Sequence, residues 1–528
     1  MMKYFIYPFL IFFFIGFYSN AQNWQWAKHV GSNILQSYDY ARVITDGSNS
    51  YLVGRYSGSI YLQNDTLNSN GTNDLFVIKY DANGNELWSK SFGGDNQQAQ
   101  TLETSYGVYD SNNNCIYLTG TFYGTMYLDS VDTLISNNGF SNIYLAKMDL
   151  NGNFVWGKSF NNNLVDDYSY IYHYPNGNIL IAGEIGDTTN FDTYQIAPGG
   201  FFAKFDTNGN CLWAAHEYSS LNNSSPSISF VDNDILFAGG FNNTLIIDTV
   251  TLNSTNGSSD AFITRMDSVG KIIWIKTFGF SGSDAISDIK VDFNKDIIIS
   301  GAFEDSISFD GTFVYNNNGK DLLFAKFDEN CNLIWTRNTN GIITSGAPLS
   351  ISLANDGSFY SVGLFSGTVT FGSFNISTSN TSDMFLTRYD GNGDCLGVRH
   401  FGYATGNSVV TDNSGNPICA GSFQNTITIG SNTFTSNGYF DIYLAKSDIF
   451  TGIGGEGRIA NNQLIIYANP NAGKCNISVP DDLLHEKNLT LSIYDNTGKL
   501  IQQKVLEMND GKIKINLEAE AKGIYKVI

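Results

Sequence analysis

Residues 74–94 read "DLFVIKYDANGNELWSKSFGG". Asp81, Asn83 and Asn85 alternate around Gly84 as calcium ligands would, and Gly93-Gly94 resembles a phosphate loop. A third reading is a hairpin: an apolar run, an Asn-Gly turn with both residues at positive φ, and a second strand carrying Trp88.

The rest of the chain decides between them. The segment returns as "NIYLAKMDLNGNFVWGKSF", "GFFAKFDTNGNCLWAAHEY", "DAFITRMDSVGKIIWIKTFGF", "DLLFAKFDENCNLIWTRNTNG" and "DMFLTRYDGNGDCLGVRHFG", and its first half as "DIYLAKSDIFTGIGG". The basic residues Lys79, Lys147, Lys204, Arg265, Lys326, Arg388 and Lys446 mark a period of 57 to 68 residues. A glycine closing a short apolar strand keeps the same beat: Gly54, Gly120, Gly183, Gly239, Gly301, Gly363 and Gly421. Tryptophan follows at Trp88, Trp156, Trp213, Trp274 and Trp335, with Gly397 in the sixth place. The seventh copy lacks a tryptophan strand, but "NWQWAKHVG" near the start aligns Trp26 with Trp88. A first strand that completes the last repeat closes a ring and hides its sheet edges. The expected fold is all-β: a seven-bladed β-propeller of four-stranded blades, followed by a small C-terminal β-sandwich. A variable polar segment precedes each basic strand, with room for its own hairpin.

Blades stack face to face, so the basic residues must be paired. The expected partners are Asp81, Asp149, Asp206, Asp267, Asp328, Asp390 and Asp448, or aspartates of a neighbouring blade. Calcium takes six to eight oxygens. "DSVGKI" and "DENCNL" lose them, so no metal or other cofactor is expected. His29, His216 and His400 share one strand position and read as ordinary strand histidines. No G-x-S-x-G or H-E-x-x-H occurs, and no catalytic residue is singled out. The six cysteines are scattered and read as mostly unpaired thiols.

The chain opens with Lys3, an apolar run from Tyr4 to Phe17, and Ser19-Asn20-Ala21. This reads as a signal peptide, residues 1–21, cleaved between Ala21 and Gln22. No later stretch is long and apolar enough to span a bilayer. The net charge of −21 argues against a nucleic-acid partner.

The propeller is expected over residues 22–448, a Gly-rich linker over 449–462, and a distinct module over 463–528. In that module "YANPNAGK", "LSIYDNTGKLI" and "KGIY" resemble the C-terminal sorting domain (type A) of the type IX secretion system. Asn469, Pro470, Asp495, Gly498, Lys499, Gly523 and Tyr525 carry the likeness. It departs at Ala468, where the family usually has proline. It also departs at Ile528, where the family continues through a further strand. The resemblance implies partnership with the secretion machinery. It places the protein outside the cell or on the outer-membrane surface of a Gram-negative bacterium. The repeats in turn resemble SBBP-type propeller repeats, which imply architecture without a common activity.

Near-equivalence of seven blades favours a monomeric, non-enzymatic binding or adhesion protein that presents loops to a glycan or protein ligand. The alternative is a polysaccharide hydrolase or lyase with its site at the ring's central mouth. A cluster of acids and aromatics from several blades around one pocket would mark it.

Overall fold

The computed structural model describes residues 24–450, apart from 32–40, 71–72, 95–105, 130–131, 137–139, 162–167, 219–225, 340–346 and 438–439. Beyond 450 it describes six strands. The signal peptide and its cleavage site lie outside the described residues. The chain divides into two units, Met1–Gly455 and Glu456–Ile528.

The first unit is a seven-bladed β-propeller. Each blade is an antiparallel sheet ordered inner strand, glycine strand, basic strand, tryptophan strand. Blade I comprises Ala41–Thr45, Ser50–Tyr56, Asp74–Tyr80 and Glu86–Phe92. Blades II to VI repeat it, their inner strands being Tyr106–Asp110, Tyr168–His173, Ser227–Val231, Ala285–Val291 and Ala347–Leu353. Blade VII takes three strands from Ser408–Thr411, Pro417–Phe423 and Asp441–Ser447, and its fourth is Trp24–Val30 from the other end of the chain. Trp26 pairs there with Lys446, as Trp88 pairs with Lys79 in blade I. The ring therefore closes through the displaced N-terminal strand, as the sequence predicts.

Register explains the repeated residues. In every blade the basic residue lies across the ladder from the tryptophan position. The residue three before it is aromatic in six blades and Leu323 in blade V, and it always lies opposite the repeat glycine. A large ring thus covers the place where the glycine leaves none. The glycine is needed for close approach: a Cβ on Gly301 would sit 2.3 Å from the Ala285 carbonyl oxygen, and one on Gly421 1.8 Å from that of Thr405.

The Asn-Gly segment is a hairpin, but not the expected two-residue turn. Gly84 has φ +78°, whereas Asn83 is not at positive φ. The Gly84 amide donates to the Asp81 carbonyl, and the register shifts between Lys79 and Tyr80. This is a turn followed by a left-handed glycine in a bulge, which also suits the strand twist. Each polar segment between glycine and basic strands forms a hairpin, such as Ser59–Tyr61 with Thr66–Asn68. These hairpins lie against the outer tryptophan strands, away from the channel.

The second unit has two three-stranded antiparallel sheets. One comprises Ile465–Tyr467, Lys474–Ser478 and Lys512–Asn516; the other comprises Leu500–Leu506, Leu489–Asp495 and Tyr525–Val527.

Candidate functional site in the central channel

The seven inner strands surround the channel, and one position on each faces the next blade. That position lies opposite the residue before the repeat glycine: Arg42, Tyr106, Tyr170, Ser227, Asp288, Ser350 and Ser408. In blades IV to VII the residue is short and buried, and it accepts a backbone N–H from the next inner strand. Ser227 Oγ accepts from Ile289 at 3.1 Å, and Asp288 Oδ2 from Ile351 at 2.7 Å. Ser350 Oγ and Ser408 Oγ each accept at 3.3 Å, from Val409 and Val43. Short acceptors satisfy edge amides that would otherwise be buried without a partner.

Blades I to III break this pattern. Arg42, Tyr106 and Tyr170 are half-buried rather than buried. The Arg42 guanidinium lies 4.2 Å from the centre of the Tyr106 ring, and its Nη2 donates to the Tyr106 hydroxyl at 3.0 Å. The Tyr106 and Tyr170 rings stand 4.3 Å apart, and Tyr168 follows at 5.7 Å from Tyr170. Tyr172 reaches the next blade differently, donating its hydroxyl to the Pro226 carbonyl at 2.7 Å. Across the channel, Lys290 Nζ is 2.6 Å from Asp288 Oδ1, which also accepts from Ser227 Oγ at 3.1 Å. Glu184 accepts from the Tyr168 hydroxyl. Burial, reinforced by Glu184, pushes the Tyr168 phenol far up, and burial does the same to Tyr172.

Sequence reasoning singles out none of these residues. The signal is present: aligned inner strands read "ARVIT", "YGVYD" and "YSYIYH" against "SISFV" and "SVVT". Turns of unequal length set this position 12 to 14 residues before the repeat glycine and hide the alignment.

The sequence-predicted residues occupy the seams between blades. Trp26, Trp88, Trp213 and Trp335 donate their indole N–H to the turn of the next blade, at Ala82, Leu150, Ser268 and Gly391. Trp156 lies beneath Gly209 of the next turn. The Trp274 indole nitrogen is buried without an acceptor among the described residues. At Gly397 a substitute ring arrives from Phe450, whose side chain lies 3.0 Å from where a Cβ would be.

The basic residues are held, but not by the expected aspartates. Lys326 pairs with Asp292 and Asp296, Arg388 with Asp356, Lys446 with Asp412 and Arg265 with Asp234. These acids come from the turn after the inner strand of the same blade, except Asp234, which opens the glycine strand Asp234–Asn242. Lys79 and Lys147 donate instead to carbonyls of the next blade, Leu150 and Thr207. Lys204 stands 4.1 Å from the Tyr174 ring. Asp81, Asp149, Asp206, Asp267, Asp328 and Asp390 are engaged within their own turns, Asp81 accepting from the Asn83 and Asn85 amides and from Asn85 Nδ2, and Asp448 accepts from Gln25.

His29 pairs with Asp441 at 2.6 Å and His400 faces Asp383 at 3.6 Å, while His216 lies beside Gly199, where the equivalent acid is missing. Cys115, Cys211, Cys331, Cys395 and Cys419 are free thiols. Among the described residues no helix is long and apolar enough to cross a membrane. In the tail, Asp495 and Tyr525 face each other across a ladder. Asn469, Pro470, Gly498, Lys499 and Gly523 lie outside the described residues.

Residues 465–528 match the secretion system C-terminal sorting domain. The chain therefore carries a type IX sorting signal and is exported to the cell surface or beyond. No curated protein matches. Among solved structures, a PL25 ulvan lyase is 9% identical with TM-score 0.41, covering 74% of this chain and 91% of its own. A puromycin hydrolase mutant is 11% identical with TM-score 0.39, covering 86% of this chain; the chain spans 61% of that protein. The Dos1 propeller is 11% identical with TM-score 0.32, covering 79% and 93%. None of these likenesses bears on activity.

Proposed function

We propose that this chain is an exported binding protein whose recognition surface is the channel wall of blades I to III. The carrying observation is the replacement of a seam-forming serine by Arg42, Tyr106 and Tyr170 on three consecutive blades. A ring built only for architecture would repeat the serine, as blades VI and VII do. Aromatic faces beside a cation in a concave channel suit ligand recognition.

The same wall argues against hydrolysis or elimination. Its Glu184 is engaged by Tyr168, and Asp288, across the channel on blade V, by Ser227, Ile351 and Lys290. Neither is free to act as half of an acid pair. The Tyr168 and Tyr172 phenols, raised well above their usual range, make poor bases near neutrality.

The test is a glycan-array and protein pull-down screen with the chain from Gln22 onward, alongside a turnover assay on a polysaccharide panel. Specific binding without product release supports the proposal. Product release overturns it in favour of a hydrolase or lyase.

A further inference from the structure

Resting on that binding role, we infer that the channel wall takes an anionic saccharide and that Arg42 selects it.

The first observation is a missing counter-charge. Among the described residues no carboxylate lies within ion-pair distance of the Arg42 guanidinium. Among the described residues, the phenols of Tyr106, Tyr170 and Tyr172 lie close enough to act on its charge. Of the seven repeat cations, Arg265, Lys326, Arg388 and Lys446 meet aspartates, whereas Lys79 and Lys147 are held by carbonyls and Lys204 by the Tyr174 ring. The chain has 50 acidic residues against 29 Lys and Arg, so acids are not scarce. A half-buried cation with no acid among the described residues gains from a ligand that supplies the charge.

The second observation is donor capacity. A guanidinium has five N–H groups in a planar fork. Among the described residues one side-chain hydrogen bond uses it, to the Tyr106 hydroxyl. The fork suits two oxygens of one carboxylate or sulfate. A lysine would not offer that geometry.

The third is the surrounding surface. Tyr106, Tyr170 and Tyr168 form a run of rings at 4.3 and 5.7 Å spacing. Their apolar faces can cover the C–H face of a sugar ring while Arg42 holds its acidic group. The net charge of −21 disfavours indiscriminate polyanion binding, so recognition depends on this short-range contact.

The experiment is calorimetric titration of the chain from Gln22 onward with three probes: tetragalacturonate, a sulfated carrageenan tetrasaccharide and neutral cellotetraose. Arg42→Ser is the control, because Ser350 and Ser408 already occupy the equivalent place; its melting temperature verifies folding. Arg42→Lys keeps the charge and loses the fork. Binding of a carboxylated or sulfated probe but not cellotetraose is expected. Arg42→Ser should weaken that binding by about ten-fold or more, and Arg42→Lys by less. Which acidic probe binds distinguishes carboxylate from sulfate. Equal binding of cellotetraose, an unchanged Arg42→Ser, or no acidic probe bound at millimolar concentration overturns the inference. A neutral glycan or protein ligand from the wider screen would then leave the binding role standing, whereas product release would overturn that role alone.

Discussion

The Trp26 indole donates to the Ala82 carbonyl at 2.9 Å, and Lys446 donates to the same oxygen at 3.3 Å. Trp88 and Lys79 make the same pair of bonds to Leu150, at 3.1 and 2.9 Å. The seam where the two ends of the propeller meet thus has the chemistry of an internal seam. Trp26 is 8% exposed, so truncating it removes a large buried ring and leaves a cavity. Trp26→Ala is expected to cost about 3–5 kcal/mol in chemical denaturation. Deleting residues 22–31 should cost more, because the edge of Asp441–Ser447 is then open as well. Unchanged stability in either variant refutes closure by this strand.

Phe450 does at blade VI what tryptophan does elsewhere. Its ring covers Gly397, stands 5.6 Å edge-on to Tyr360, and its carbonyl accepts from Arg388 Nη1 at 2.7 Å. The propeller's packing therefore runs past Asp448. A protein ending at residue 448 should be less stable than one ending at 455, and Phe450→Ala should cost about 3–5 kcal/mol. Gly397→Trp alone places an indole where Phe450 sits and should destabilise. Combined with Phe450→Ala it should recover much of the loss. Additive effects in that double-mutant cycle would show that the two sites do not share a space.

What is legible in the sequence is what repeats. Lys79, Gly54 and Trp88 recur in type from blade to blade because their ladder positions recur, so the ring can be counted, including the displacement of Trp26. Partners outside that beat are hidden. Asp292, Asp296, Asp356 and Asp412 sit in turns whose composition varies, and the more regular Asp81 series draws the pairing instead. The two-residue turn misleads because Asn-Gly permits positive φ at both residues, whereas only Gly84 takes it. Arg42, Tyr106 and Tyr170 escape notice because a site that departs from symmetry leaves no repeated residue to follow.

Lys326 and Lys204 occupy equivalent positions in different company. Lys326 Nζ lies 2.8 Å from Asp292 and 2.9 Å from Asp296, and all three are largely buried. Lys326→Met leaves two acids facing each other and should cost about 3–5 kcal/mol. Lys204 makes no ion pair among the described residues; it stands over Tyr174, and burial pushes its pKa down. Lys204→Met keeps most of the packing and removes a desolvated charge, so stability should change by about 1 kcal/mol or less. Equal losses at the two positions would show that the acids contribute nothing at Lys326.

Asp284 gives the propeller a pH dependence of unusual sign. It is fully buried at the seam of blades IV and V, where the backbone N–H groups of Glu304 and Phe280 approach its carboxylate without reaching good hydrogen-bond geometry and offset only part of the cost of burial. Burial, then the neighbouring Asp260, raise its pKa from 3.8 to about 8. Between those values the folded chain keeps the proton and the unfolded chain has lost it. The folded state binds more protons, so stability falls as pH rises, by up to about 1.4 kcal/mol per pH unit. Below pH 3.8 both states are protonated and the penalty vanishes. Asp284→Asn removes the titrating group while keeping its shape. Its melting temperature should exceed that of the wild type at pH 8, and the gap should shrink steadily toward pH 4. A gap that is constant with pH would mean that Asp284 is ionised in the folded state, held by donors or by a cation.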